Sequence, residues 1–146
     1  MTRYYDDYNI GDTCVSSART LTEGEISILL GIGRYSHPLL IDEEYARTTN
    51  FKGRVVPGQL IIFMVGPMAH IMDKLSIIAA ISTDNVKFLK PVRAGDTLHV
   101  EASITDKKVT SKPEVGLIFH RQICKNQLGE TVAEYDEIHL VHRKPA

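Results

Sequence analysis

The segment from Gln59 to Leu75 constrains this chain most. It contains Leu60, Ile61, Ile62, Phe63, Met64, Val65, Met68 and Ile71, and no Asp or Glu occurs between Gly58 and Met72. These apolar residues go all the way round a helix instead of lying along one stripe, so the helix must be covered on most sides. At ~1.5 Å per residue it would be about 25 Å long, and Pro67 should kink or restart it. The longest apolar run, Leu60 to Ala69, falls far short of the ~20 residues needed to span a bilayer. The segment therefore predicts a buried core helix and no membrane partner.

Everything after it reads as strand. Leu98, Val100, Ala102 and Ile104 alternate with Thr97, His99, Glu101 and Ser103, a clean period of two. Val115, Leu117, Phe119 and Ile123 alternate less regularly. The turn Pro91 to Asp96 joins a strand at Val86–Leu89 to one at Thr97–Thr105, and Asn126-Gln127-Leu128-Gly129 reads as a hairpin turn into Val132–Val141. One helix that is apolar all round and about four long strands with one apolar face satisfy each other if the sheet wraps the helix. The expected class is α+β, with an antiparallel sheet around a central helix, in one domain over residues 1–146.

Upstream, Asn9-Ile10-Gly11-Asp12 is turn chemistry followed by short β-prone stretches. Thr22 and Glu25 form a capping box opening a short helix that runs to about Leu30 and ends at Gly31 and Gly33. Pro38 pushes His37 toward an extended conformation. Asp42 caps a second short helix over Glu43 to Thr48.

Charge and cysteine content narrow the partners. Seventeen Lys+Arg stand against eighteen Asp+Glu, a net charge of −1 with no basic stripe, which argues against nucleic acid. The acidic, aromatic start Met1 to Tyr8 predicts no secretory leader and a cytoplasmic protein. Cys14 and Cys124 are too few for a disulfide scaffold and read as reduced thiols.

Three strings then carry a resemblance. Gly33-Arg34-Tyr35-Ser36-His37-Pro38-Leu39-Leu40-Ile41-Asp42 with Tyr45-Ala46, then Gly53-Arg54-Val55-Val56-Pro57-Gly58, then Val86-Lys87-Phe88-Leu89-Lys90-Pro91-Val92-Arg93-Ala94-Gly95-Asp96 occur in that order. Together with the opening Tyr8 to Asp12 and Thr20 to Thr22, they resemble the MaoC-like family of (R)-specific enoyl-CoA hydratases and dehydratases over almost the whole chain. The resemblance implies a hotdog fold, an acyl thioester on coenzyme A or acyl carrier protein as substrate, no cofactor beyond that carrier, and a homodimer with the acyl site at the join. It also implies a backbone N–H at the start of the central helix, after Pro57 at Gly58, that polarises the thioester carbonyl.

The same resemblance exposes a departure. An Asp and a His five residues apart move the protons of water in the family. Here the Asp position is Tyr35 and the His position is Leu40, which does no proton chemistry; His37 falls between them. A tyrosine is a donor near neutral pH, not a base. The expectation is weak ordinary hydration, with Tyr35 as donor, His37 as replacement base, Leu40 in the acyl site and Gly58 at the carbonyl. Because a carboxylate on the central helix marks hotdog thioesterases and fatty-acid dehydratases, its absence argues against both. A non-catalytic acyl-thioester binder or partner subunit, and a rewired enzyme of a specialised acyl or polyketide pathway, stay open.

The remaining candidates carry bland expectations. His70 and Asp73, three apart, lack the third ligand a metal needs. His99, His120, His139 and His142 show no ligand spacing and read as surface residues on strands, so no metal is expected. Met64, Met68 and Met72 read as core packing that can also floor a flexible acyl pocket.

Overall fold

Four long antiparallel strands curve round one short helix. The computed structural model describes residues 2–69 and 74–145. Strands β1 (Thr13–Val15) and β2 (Arg19–Thr20) are followed by helices α1 (Glu23–Ile32), α2 (Pro38–Ile41), α3 (Glu43–Thr48) and α4 (Gly58–Val65), then by strands β3 (Ile77–Phe88), β4 (Thr97–Val109), β5 (Val115–Lys125) and β6 (Thr131–His142). The sheet order is β1-β4-β5-β6-β3, with β2 also on β4. No helix among the described residues is long and apolar enough to cross a membrane.

The local signals act as read. Thr22 Oγ1 accepts from Glu25 N–H at 3.2 Å while Glu25 accepts from Thr22 N–H at 3.1 Å, closing the capping box of α1, which runs to Ile32 and stops at Gly33. Asp42 caps α3 through Tyr45 N–H at 3.0 Å. Asn126 Oδ1 accepts from both Leu128 and Glu130 N–H, and Gly129 takes a φ of 76°, so the β5–β6 hairpin turns there. On β4, Leu98, Val100, Ala102 and Ile104 are all buried against the core.

Four expectations change. The central helix does not reach Leu75: α4 ends at Val65 and passes into a 3₁₀ turn over Gly66–Met68, while Leu75 forms an isolated bridge with Arg3. Pro67 is the reason, since it lacks an N–H to continue the α-helical ladder. His70, Ile71, Met72 and Asp73 lie outside the described residues. Nor is α4 covered on most sides within one chain. Ile61 and Val65 are buried, but Phe63 is 64% exposed, because a single sheet covers one side of a helix.

The third change is topological. The expected strand Val86–Leu89 is, as far as Phe88, the end of a longer β3 that pairs with β6, not with β4, so the turn Pro91–Asp96 carries the chain across the sheet. Val56 N–H donates to Val92 O at 2.7 Å beneath it, and Val92 is fully buried. The start of β3 escaped notice because this edge strand is exposed along most of its length and bulged at three places, which erases period two. The fourth is a phase error on β5. Of the expected set only Val115 is buried; Leu117, Phe119 and Ile123 sit on the half-buried outer side, and the buried residues from there on are Gly116, Ile118, His120, Gln122 and Cys124. A shift of one residue exchanges the two faces of a strand.

Candidate active site

The loop before α4 is held from both sides. Arg54 Nε meets Glu43 Oε2 at 3.1 Å and its Nη2 meets Glu23 Oε1 at 2.7 Å. Hydrogen bonds from the Arg54 backbone and guanidinium keep the Glu43 carboxyl below its usual range. Arg93 Nη1 donates to Arg54 O at 3.0 Å, and its Nη2 donates to Phe51 O. A side chain at Gly53 would meet Arg93 Nη1 at 3.0 Å and push on the clamp. Leu60 and Ile61 N–H turn back onto Pro57 O, which starts α4. The first N–H groups of a helix have no acceptor within it and lie at the positive end of its dipole. Gly58 is the first residue of α4.

Gly58 has a packing role as well. A Cβ there would lie 2.4 Å from the Phe88 ring, so the close seat of Phe88 on the helix start requires glycine whatever the N–H does. Gly58, Phe88, Phe51, Val55 and Val56 line a cavity of about 280 Å³. A second cavity of about 500 Å³ shares Phe51, Val55 and Val56 and continues to Leu40, Lys52 and Arg54. A third, of about 400 Å³, holds Tyr35 and Arg34 and meets the second at Arg54. Leu40 and Gly58 thus belong to adjoining cavities, and Tyr35 opens on the far side of Arg54.

His37 lines none of these three cavities. It is exposed and caps α2: its Nδ1 accepts from Leu39 N–H at 3.2 Å. A neutral imidazole whose Nδ1 accepts carries its proton on Nε2, so in this pose the ring offers a donor and no free base lone pair. Tyr35 is half-buried, packs against the core, and stands over Gly33. Among the six cations near this region, Lys87 pairs with Glu134, Lys90 with Glu130 and Arg54 with Glu23 and Glu43, while Arg93 serves carbonyls. Arg34 and Lys52, both at positive φ, keep their heads without a partner among the described residues.

A second polar group was missed from the sequence. His120 and His139, expected at the surface, are 0% and 3% exposed. The β5–β6 register sets His120 opposite Glu137 and Gln122 opposite Tyr135 on the face toward α4. Gln122 Nε2 donates to His120 Nδ1 at 3.0 Å and to Glu137 Oε2 at 3.3 Å. His120 therefore carries its proton on Nε2, which donates to His139 Nδ1 at 2.7 Å. Burial, reinforced by the neighbouring His139, pushes His120 down to about 4, and burial also lowers His139, so both rings are neutral. Burial raises Glu137 and Tyr135. The metal-ligating atoms of His120, Glu137 and His139 lie within 4.8 Å of one another, a grouping the residue spacing concealed. The hairpin register would have revealed it, had β5 been read in the right phase.

The sequence matches the MaoC like domain over residues 10–120. It is 32% identical over 132 residues to the (R)-specific enoyl-CoA hydratase of Rhodospirillum rubrum, covering 90% of this chain and 86% of that protein. The chain belongs to the MaoC-like family. It is also 27% identical over 143 residues to the mesaconyl-CoA hydratase of Cereibacter sphaeroides; that alignment covers 97% of this chain but spans only 42% of the relative's length. Among solved structures, the monoamine oxidase regulatory protein from Archaeoglobus fulgius aligns with a TM-score of 0.91 at 27% identity, covering 99% of this chain and 97% of that one. A Mycobacterium tuberculosis protein with a double hotdog fold aligns with a TM-score of 0.88 at 17% identity, over 99% of this chain and 45% of that one. The MaoC-like chain is thus an α+β hotdog, with α4 as its central helix.

Proposed function

We propose that this MaoC-like chain, acting as one domain, binds an enoyl or 3-hydroxyacyl thioester on coenzyme A or acyl carrier protein and hydrates the ordinary double bond only slowly. The supporting observation is a mismatch among the residues that the family resemblance singles out. Gly58 still opens α4 at an apolar cavity, but Tyr35 and Leu40 stand where the family's proton-transfer pair would be, and His37 is committed to a cap. General acid–base groups contribute ~10²–10⁴-fold each, and an oxyanion-type donor alone retains part of the rate. Arg34 and Lys52 are the cations free to meet the carrier's phosphates, and no cofactor beyond the carrier is needed. The capping role of His37 favours, as the second reading, an acyl-thioester-binding subunit without turnover.

The test is crotonyl-CoA hydration by the wild type, Tyr35→Phe, His37→Ala and the double variant Tyr35→Asp with Leu40→His, beside calorimetric binding. The expected result is crotonyl-CoA binding, slow wild-type turnover and a gain in the double variant. Fast wild-type turnover would refute the disabled pair, and loss of that turnover in His37→Ala would mark His37 as a working base. Absence of binding to any acyl-CoA or loaded carrier protein would remove the reading altogether.

The same proposal includes a homodimer joined at β3. Ile77, Ile78, Ile81, Val86 and Phe88 on this edge strand, and Phe63 on α4, are each exposed, and an unpaired edge strand needs cover. Light scattering should give twice the 16.3 kDa chain mass; a single-chain mass at micromolar concentration rejects the dimer.

A further inference from the structure

Arg93 reaches the loop before α4 from the turn between β3 and β4. Its Nη1 donates to Arg54 O at 3.0 Å and its Nη2 donates to Phe51 O, so one planar guanidinium holds two carbonyls three residues apart. Arginine suits this task because its donors sit in a fixed fork, whereas a lysine is a point charge on a flexible stem. The turn that carries it is itself fixed. Arg93 N–H donates to Asp96 Oδ2 at 2.8 Å. Asp96 Oδ1 accepts from Gln127 Nε2 of the β5–β6 hairpin at 2.8 Å, and Asp96 O accepts from Leu21 N–H at 2.9 Å.

The held segment carries a wall of the proposed site. Phe51 lines both the cavity of about 280 Å³ that contains Gly58 and the cavity of about 500 Å³ that contains Leu40 and Lys52. Its side chain is 41% exposed, so burial alone does not fix its place. The backbone does. Thr49 Oγ1 accepts from Phe51 N–H at 3.2 Å, and Arg93 holds the Phe51 carbonyl. Between the two clamped carbonyls, Lys52 takes a φ of 59°. A non-glycine residue pays about 1–3 kcal/mol for such a conformation and keeps it only where its surroundings impose it.

We infer that Arg93 is a positioning residue for the acyl thioester: it touches no part of the ligand and sets the Phe51 wall shared by the Gly58 and Leu40 cavities. The inference rests on the acyl-thioester reading above. The rival role for Arg93 is a direct contact with the carrier's phosphates. The geometry favours positioning, because each terminal nitrogen already serves a backbone carbonyl.

The experiment is calorimetric titration of crotonyl-CoA into the full chain and its variants, in low salt and in about 0.5 M salt. Arg93→Lys keeps the charge but breaks the fork, so it should bind about tenfold weaker than the wild type, as two lost hydrogen bonds imply. Arg93→Gln should match it. The loss should be equal at both salts, because salt screens a charge contact and not a packing wall. Phe51→Ala removes the wall, and adding Arg93→Lys to it should cost nothing further, which a general loosening of the fold would not give. Gly53→Ala leaves Arg93 in place, but its methyl would stand 3.0 Å from Nη1; it should weaken binding too, and the same cycle with Phe51→Ala tests the clamp without altering Arg93. Wild-type affinity in Arg93→Lys, a loss confined to low salt, or losses that add in the double variants would each overturn the inference and leave the acyl-thioester reading intact. No binding of crotonyl-CoA by the wild type would remove that reading and this inference with it.

Discussion

The concave face is built in two ways by neighbouring strands. On β4 it is Leu98, Val100, Ala102 and Ile104, each buried and apolar. On β5 and β6, at the same depth, it includes His120, Gln122, Tyr135, Glu137 and His139. The first half is held by area removed from water, which is non-directional and tolerates conservative change. The second half is held by a chain of hydrogen bonds from Gln122 through His120 to His139, which is directional and fails when one member is lost. The difference teaches that depth in a core does not dictate composition; the supply of partners does.

The largest effect should come from the apolar half. Ile104→Ala removes a fully buried side chain and should lower unfolding free energy by about 2–5 kcal/mol in urea titration. A loss below about 1 kcal/mol would mean that this half is loosely packed, and the contrast would fail.

Acid should pick out the polar half. His120 is held down to about 4 in the folded state, so between the ordinary value near 6.5 and about 4 the unfolded chain binds the extra proton. Stability is then complete above about pH 6.5 and falls as pH drops toward 4, by up to roughly 3 kcal/mol. His139, also lowered, adds to this slope; Glu137, raised by burial, opposes it, while Asp136 works to raise His120. Urea midpoints across that range should fall in the wild type and flatten in a variant carrying both His120→Leu and His139→Leu. Equal slopes in the two proteins would remove the charge argument.

A smaller effect separates breaking the network from replacing it. His120→Leu alone takes one of two acceptors from the Gln122 amide and leaves His139 Nδ1 without its donor, and should cost about 1–3 kcal/mol at pH 7. Adding His139→Leu should restore part of that loss, since one orphan disappears. Strictly additive losses in a double-mutant cycle would show that the two rings do not act together.

The outer face supplies the smallest change. Lys125 Nζ meets Glu101 Oε1 at 2.8 Å across β4 and β5, partly in water. Lys125→Ala should shift stability by less than about 1 kcal/mol, and less still in 1 M salt. A larger loss would make this ion pair an equal of the buried network.

What the chain alone determined is local. The boundaries of α3, the capping box of α1, the Asn126–Gly129 hairpin and the apolar face of β4 follow from residue types acting within a few positions, because caps, turns and the pleat are set by nearest neighbours. The family strings likewise single out Tyr35, Leu40 and Gly58 as candidates. Tertiary structure decided what depends on residues far apart. β3 lies beside β6 because the sheet curves round α4, and Phe63 stays exposed because one sheet covers one side of a helix. His37 serves as a cap while Tyr35 opens a separate cavity from Leu40, a separation that spacing along the chain could not give. The polar rung formed the same way. His120 and His139 are nineteen positions apart, and only the register of β5 on β6, with its choice of face, puts them 2.7 Å from each other.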